Sequence, residues 1–501
     1  MKSKLWIFAT LLIVASMALA ACKPTTIVET VVVEKEKQVV TTVEVEKQVQ
    51  VEKVVEVTPT PLPKGVVKIT IFVGFGTGTS PEQQAIHKQL QDLYNSTHTD
   101  IQIEFLTVPW ADRQTKYATM LAAGQPPDIA MPIGVGGLSE FYKGWLDLSP
   151  FITADNYDMT RFAGKTVEIH NYPGQGTLGL PLCVYPSVTF YNVDMFDAAG
   201  VDYPPHKFGE AYADGSPWNY TTLVEVAKKI TLDANGNDAN SPAFDPKNIK
   251  QFGWDGWDWG NNIENAEEWG GETGTGVSKD GTKSIVDSQP YVDWMKFNKD
   301  AVWTWHIRAN GEQAGAFYAS AGDPFGSGMV GMWQVNSWMS YAWPSWTEKF
   351  TWDVAAIPAG PAGTVLDMVD ADTAVIPAAT KNPNEAWEVM KWFFEPDQYK
   401  VLISNYGCLP ADKEAISTWS SDQAAKYPGV DFQVFLDAMD YTETYNHESW
   451  KPNYSKINTE LSNAQGAMMA GTNLDIDALM KETSAKVQAL IDEYYSANPN
   501  Q

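Results

Sequence analysis

The densest group of side chains suited to binding chemistry is Trp254-Asp255-Gly256-Trp257-Asp258-Trp259-Gly260-Asn261-Asn262. Indole rings offer flat apolar faces, and carboxylates and amides offer hydrogen-bond acceptors. A polyhydroxylated ring fits both, with its C–H faces on the indoles and its hydroxyls on the acceptors. Packed as core, the stretch would bury several Asp and Asn without partners, at about 1–3 kcal/mol each. One or two of its three tryptophans are therefore expected on the wall of a cleft, with Trp254 and Trp257 as the candidates and Asp258 as an acceptor beside them. A second aromatic run, Trp333 to Trp346, brings Trp338 and Asn336 beside it. The chain holds 20 Trp, 21 Tyr and 20 Phe, and many of the Trp neighbour Gly, Asn or Asp rather than apolar residues.

Signals for catalysis and cofactors are weak by comparison. There is no Gly-x-Ser-x-Gly and no His-Glu-x-x-His, and the 6 His are scattered. The Gly-rich turn Gly74–Ser80 lacks the Lys-Ser/Thr that a phosphate loop needs. Asp233-Ala234-Asn235-Gly236-Asn237-Asp238 starts like a calcium loop, but its sixth position is Asp238 instead of Gly and no Glu stands at the twelfth. An Asn-Gly turn is the better reading. No metal and no cofactor is expected.

The elements that must position these side chains have a clear order. A length of 501 residues suits two or three domains. A net charge of −27 excludes a nucleic-acid surface, which needs a basic face. Residues 66–73 and 101–108 read as strands, 81–97 and 111–123 as helices, with Ser80 capping the first. The turn at Pro126-Pro127-Asp128 leads into a third strand. Alternation of this kind predicts an α/β fold with a mainly parallel sheet and ligands beyond the carboxyl ends of its strands. That rule places Phe75, Trp110 and the 134–137 loop on one side of a cleft. Leu178 to Asn192 is a strand with a bend at Pro181 and Pro186, carrying Tyr185, and a short helix from Val193 follows. Asn192 or Asp194 is its N-cap and Gly200 its C-cap. Further on, Thr221 or Thr222 is expected to cap a helix to Ile230, 290–308 is read as a helix with a mostly core stripe, and 384–394 as a clean amphipathic one.

The first 22 residues carry Lys2 and Lys4, then an apolar run, then Leu19-Ala20-Ala21-Cys22. This is a signal peptide over 1–21 by composition. Its end resembles a lipobox, which implies diacylglycerol on Cys22 and an extracytoplasmic location on the cell membrane. Residues 22–65, rich in Val, Glu, Lys and Thr and closing on Thr58-Pro59-Thr60-Pro61-Leu62-Pro63, form a low-complexity stalk. Cys183 and Cys408 remain, and two buried free thiols are expected rather than a disulfide.

Several ordered motifs carry a resemblance. Gly179-Leu180-Pro181 followed by Phe190-Tyr191-Asn192-Val193-Asp194-Met195-Phe196 and Ala199-Gly200-Val201 resembles the first interdomain crossing of bacterial extracellular solute-binding proteins, within them the maltose-binding-like group. Gln125 to Ala130, Gly328-Met329-Val330-Gly331-Met332-Trp333, Asp353 to Gly363 and Gly407-Cys408-Leu409-Pro410 match further motifs in the family's order. The resemblance implies a periplasmic-binding-protein-like fold of two α/β lobes joined by hinge strands (type II). Lobe 1 would hold 66–180 and 328–380, and lobe 2 would hold 181–327 and 381–496. It implies a monomeric receptor that captures a mono- or oligosaccharide by hinge closure and delivers it to the permease subunits of an ABC importer. By the same resemblance, Trp333 and Asn336 touch solute. Asp370 stands where relatives have a Gly-Gly pair, a departure from the pattern. A secreted glycoside hydrolase with the same Trp and carboxylate ingredients is the alternative.

Overall fold

The computed structural model describes residues 65–499, apart from 173, 257–265, 267–268, 270–274, 320, 444 and 446–447. The signal peptide, Cys22 and the stalk, and also Trp257 and Asp258, lie outside the described residues.

A mixed sheet runs through the body in the order Ile101–Thr107, Val67–Val73, Ile129–Gly134, Val369–Val375, Gly179–Asn192, Val330–Asn336, Ile249–Asp255, Leu232–Asp233. The first three strands are parallel to one another, as are Val330–Asn336 and Ile249–Asp255, while the strands joining these two groups pair antiparallel. Gly179–Asn192 explains that arrangement. It is one continuous strand, and every one of its residues is buried. Its first half, Gly179 to Pro186, pairs with the return strand Val369–Val375, and its second half, Ser187 to Tyr191, pairs with Val330–Asn336. The change of partner falls at Pro186, which has no amide proton to give to a ladder. The bend expected near Pro181 appears as a register shift against Asp372 and Thr373.

The local signals work as their chemistry dictates. Ser80 accepts from the Gln83 amide in a capping box that starts Pro81–Thr97, a device contributing about 0.5–2 kcal/mol. Asn192 caps Val193–Ala199 through the Met195 amide, and Gly200 ends that helix in the left-handed conformation. Two expectations are corrected. Asn219, rather than Thr221 or Thr222, caps Tyr220–Ile230, because its side chain reaches both of those amides. The helix read over 290–308 is Gln289–Trp303. The chain breaks off toward a left-handed His306 (φ 55°) and turns the Arg308 side chain inward.

Separate cores line the two ends of the sheet. Ile69, Ile71, Leu90, Ile129 and Leu180 pack with Trp387, Met390 and Phe393. Leu223, Ala227, Trp294 and Met332 pack with Leu461, Met480 and Ile491 of the C-terminal helices. Each fully buried aliphatic side chain contributes about 1.5–3 kcal/mol to this arrangement. The helices Pro383–Phe393 and Pro396–Ile403, read from sequence as part of the second group, thus pack on the first.

Cys183 and Cys408 form a disulfide, contrary to the expectation of free thiols. Leu409–Pro410 pairs with Val184 and Cys183 on the crossing strand, and this ladder brings the two sulfurs together. Gly407 makes the turn possible: its φ is +65°, and a Cβ there would come within 2.0 Å of the Ser340 side chain.

Candidate functional site

The carboxyl ends of Val67–Val73 and Ile129–Gly134 open onto the turn at Gly76–Ser80 and the short helix Val135–Glu140. The return strand brings Asp372 into register with Gly134 on one side and Cys183 on the other. One carboxylate oxygen of Asp372 accepts from the Thr77 amide at 3.1 Å, the Thr77 hydroxyl at 2.6 Å and the Tyr185 hydroxyl at 2.9 Å. Burial pushes the Asp372 carboxyl up, and the bonds from Thr77 and Tyr185 oppose the shift. Burial, then the neighbouring Asp372 charge, raises the Tyr185 phenol well above 10.0, so it stays protonated and donates.

One turn along, Asn336 gives its amide to the carbonyls of Tyr185 (2.7 Å) and Met368 (3.1 Å), and the Trp338 indole gives its N–H to Asp370 at 3.0 Å. Tyr185, Asn336, Trp338 and Asp370 are therefore brought together around the point where the crossing strand changes partners. Trp110 stands apart at the end of Ile101–Thr107. It is 56% exposed, with the Arg113 guanidinium 3.4 Å over its ring.

The structure corrects the other aromatic expectations. Phe75 is buried against Phe72, Tyr117 and Phe141. Trp254 and Trp333 are both 0% exposed and present no ring face to a cleft. Trp254 packs edge-on to Phe297 and Trp333 edge-on to Trp346. Asp255, expected to be orphaned if packed as core, is instead met by Arg308, 53 residues on, at 2.7 Å with both side chains inside. Asp233, the head of the would-be calcium loop, spends its oxygens on the amides of Asn235, Asn237 and Asp245, which is the expected turn.

Sequence reasoning missed Asp372, Thr77 and Glu448. Asp372 had a signal: two residues beyond Asp370 on a strand, it shares that residue's face. Glu448 had none. It arrives from the C-terminal segment, accepts from the Gly136 amide at 2.9 Å, and its backbone carbonyl takes the Ser139 hydroxyl at 2.6 Å. Ser455, one residue into the helix Tyr454–Ala470, reaches Glu140 at 3.4 Å. Burial raises the Glu448 carboxyl, the Gly136 amide and Arg113 oppose, and Asp372 adds to the rise. A cavity of about 320 Å³ lies on this seam, lined by Glu140, Tyr142, Lys143, Trp450, Tyr454 and Tyr494 among others. A larger one of about 430 Å³, lined by Asp194, 347–352, Tyr427, Pro428 and Val430, touches none of the binding residues proposed from sequence.

Two groups of strands joined by a strand common to both define the type II class of binding-protein fold. Residues 76–400 match the model of the bacterial extracellular solute-binding proteins, and the chain belongs to that family. A binding protein of Brucella abortus is 25% identical over 442 residues, covering 85% of this chain and 93% of the relative. An ABC substrate-binding protein of Listeria monocytogenes, solved in complex with cycloalternan, superposes with a TM-score of 0.66 at 18% identity, covering 85% of this chain and 99% of that one. The maltose-bound MalE3 of T. maritima does so with a TM-score of 0.62 at 18% identity, covering 85% and 100%. The family and these neighbours are binding proteins.

Proposed function

We propose that this protein is an extracytoplasmic receptor that captures a mono- or oligosaccharide by hinge closure and passes it, unmodified, to an ABC importer. The observation that carries the proposal is the crossing strand Gly179–Asn192, whose halves belong to different strand groups while Gly136 and Glu448 meet across the seam beside it. Such a connection lets two lobes rotate about a few residues. The carbohydrate class is supported by neighbours solved with maltose and mannotriose and by aromatic and carboxylate groups at the seam. Trp110, Tyr185, Trp338, Asp370 and Asp372 are the residues of this chain we assign to the cleft. The permease partner follows from the family, and binding without turnover is the activity. The protein acts as a monomer, anchored by lipid on Cys22 with 22–65 as its stalk. Two lobes divide the sheet at Pro186: Val67–Val73, Ile101–Thr107, Ile129–Gly134, Val369–Val375 and the helices Pro383–Phe393 and Pro396–Ile403 lie on one side, and Val330–Asn336 and Trp352–Ala355, read from sequence as part of that first lobe, lie with Ile249–Asp255 on the other.

Small-angle scattering on the protein with and without saturating maltotriose or mannotriose tests the mechanism. Closure predicts a smaller radius of gyration with sugar, and binding at a constant radius rejects it. Labelling with radioactive palmitate tests the anchor: label on the native chain and none on Cys22→Ala is expected, and an unlabelled native chain overturns it.

A further inference from the structure

The surroundings of Asp372 bear on which solutes the cleft admits. Asp372 is 3% exposed. Its Oδ2 takes the three hydrogen bonds from Thr77 and Tyr185, while its Oδ1 accepts none from the described residues. Oδ1 lies instead against two glycines. A Cβ on Gly76 would stand 2.3 Å from it and one on Gly134 3.6 Å away, so neither turn places a side chain over that edge of the carboxylate. The donors on Oδ2 are all neutral, and the charge of Asp372 adds to the rise that burial gives the Glu448 carboxyl, which accepts from the Gly136 amide two residues beyond Gly134. A buried carboxylate with one bare oxygen is an acceptor held ready for a donor, since leaving it unmatched costs free energy.

We propose that Oδ1 of Asp372 anchors the captured solute by accepting from a hydroxyl or protonated amine, and that the cleft therefore selects neutral or amino sugars against sugars bearing carboxylate or phosphate at that position. The proposal rests on the carbohydrate-receptor reading above. Thr77 and Tyr185 are positioning residues, because they fix the carboxylate through its other oxygen. A second anion brought beside Asp372 and Glu448 meets repulsion in a site with little water to screen it. A hydrogen bond to a charged acceptor is worth about 10- to 100-fold in affinity.

The test is calorimetric titration of the native chain and of Asp372→Asn with maltotriose, mannotriose, the glucosamine trimer and trigalacturonate. In the variant, the three donors hold the amide oxygen at the Oδ2 position, so the NH2 falls where Oδ1 was and an acceptor becomes a donor. The native chain is expected to bind a neutral or amino trimer and to reject trigalacturonate. Asp372→Asn is expected to lose about 10- to 100-fold for the bound trimer and to discriminate less against trigalacturonate. Gly76→Ala, which keeps the charge and sets a methyl against Oδ1, serves if the first variant does not fold, with a comparable loss expected. Unchanged affinity in a folded variant overturns the role of Asp372 and leaves the receptor reading standing. Failure of the native chain to bind any of the four overturns both.

Discussion

Replacing Arg308 with Met tests whether the chain beneath the aromatic segment is held by a buried ion pair. Arg308 and Asp255 are 0% and 1% exposed. The guanidinium donates to Asp255 at 2.7 Å and to Asn298 at 2.6 Å, and it sits 5.6 Å from the Trp254 ring. Asp255 ends its strand in register with Trp333, so the pair ties the segment that follows Gln289–Trp303 to the sheet, and Arg308 reaches the helix itself through Asn298. The substitution keeps much of the volume but takes this counter-ion from Asp255 and a donor from Asn298. Removing one member of a buried pair costs about 3–5 kcal/mol, because the remaining charge is left desolvated. Replacing both, as Arg308→Met with Asp255→Leu, removes the charge as well as its partner and is expected to recover most of the loss. Urea unfolding followed by circular dichroism provides the measurement, with the double-mutant cycle isolating the coupling. A single variant that loses less than about 1 kcal/mol, or a double variant as unstable as the single one, refutes the reasoning.

Three further outcomes follow from the fold. Cys183 and Cys408 close a loop of 225 residues, and chain-entropy arguments give such a cross-link up to about 5 kcal/mol. Reduction should lower the unfolding midpoint markedly, and two free thiols in the untreated protein by mass spectrometry would contradict the bridge. The His206 imidazole is bonded to Asp353 at 3.1 Å and to Asp431 at 3.0 Å, and these bonds, the one to Asp353 foremost, raise its pKa above 6.5 against the effect of burial. A raised folded value means that this stabilisation is complete below 6.5 and disappears as the pH rises through the raised value. His206→Asn should therefore lower the melting temperature more at pH 5.5 than at pH 9, and an equal loss at both would sink the argument. His170 shows the opposite sign: it is fully buried, neither ring nitrogen has a partner among the described residues, and burial lowers its pKa to about 3. Stability then falls as the pH drops from 6.5 toward 3, and His170→Leu should flatten that slope when melting temperature is followed against pH.

The sequence made the skeleton legible and the site only partly so. Alternating strand and helix periods, Ser80, Asn192 and Gly200 each act through local chemistry, and each appears where the pattern put it. The crossing strand was readable because Val, Leu, Tyr and Phe run unbroken there while prolines mark where ladders change. Trp254 went astray for a non-local reason: whether an Asp beside a Trp is orphaned depends on a cation elsewhere in the chain, and Arg308 lies 53 residues from Asp255, whereas Trp333 rested on the family resemblance alone. The cysteine pair was hidden in the same way, since 225 residues separate partners that only the Leu409–Pro410 ladder brings together. Asp372 shows what a period-2 reading can still recover once its neighbour Asp370 is suspected. Glu448 belongs to no pattern, and only closure of the chain across the seam places it against Gly136.

The central claim is capture of a carbohydrate in the seam between two groups of strands. Its most direct measurement is isothermal titration of the purified full chain with maltose, maltotriose, mannobiose and mannotriose. Saturable one-to-one binding of at least one of them is the predicted result, and no heat of binding from any of the four at millimolar concentration would contradict the account.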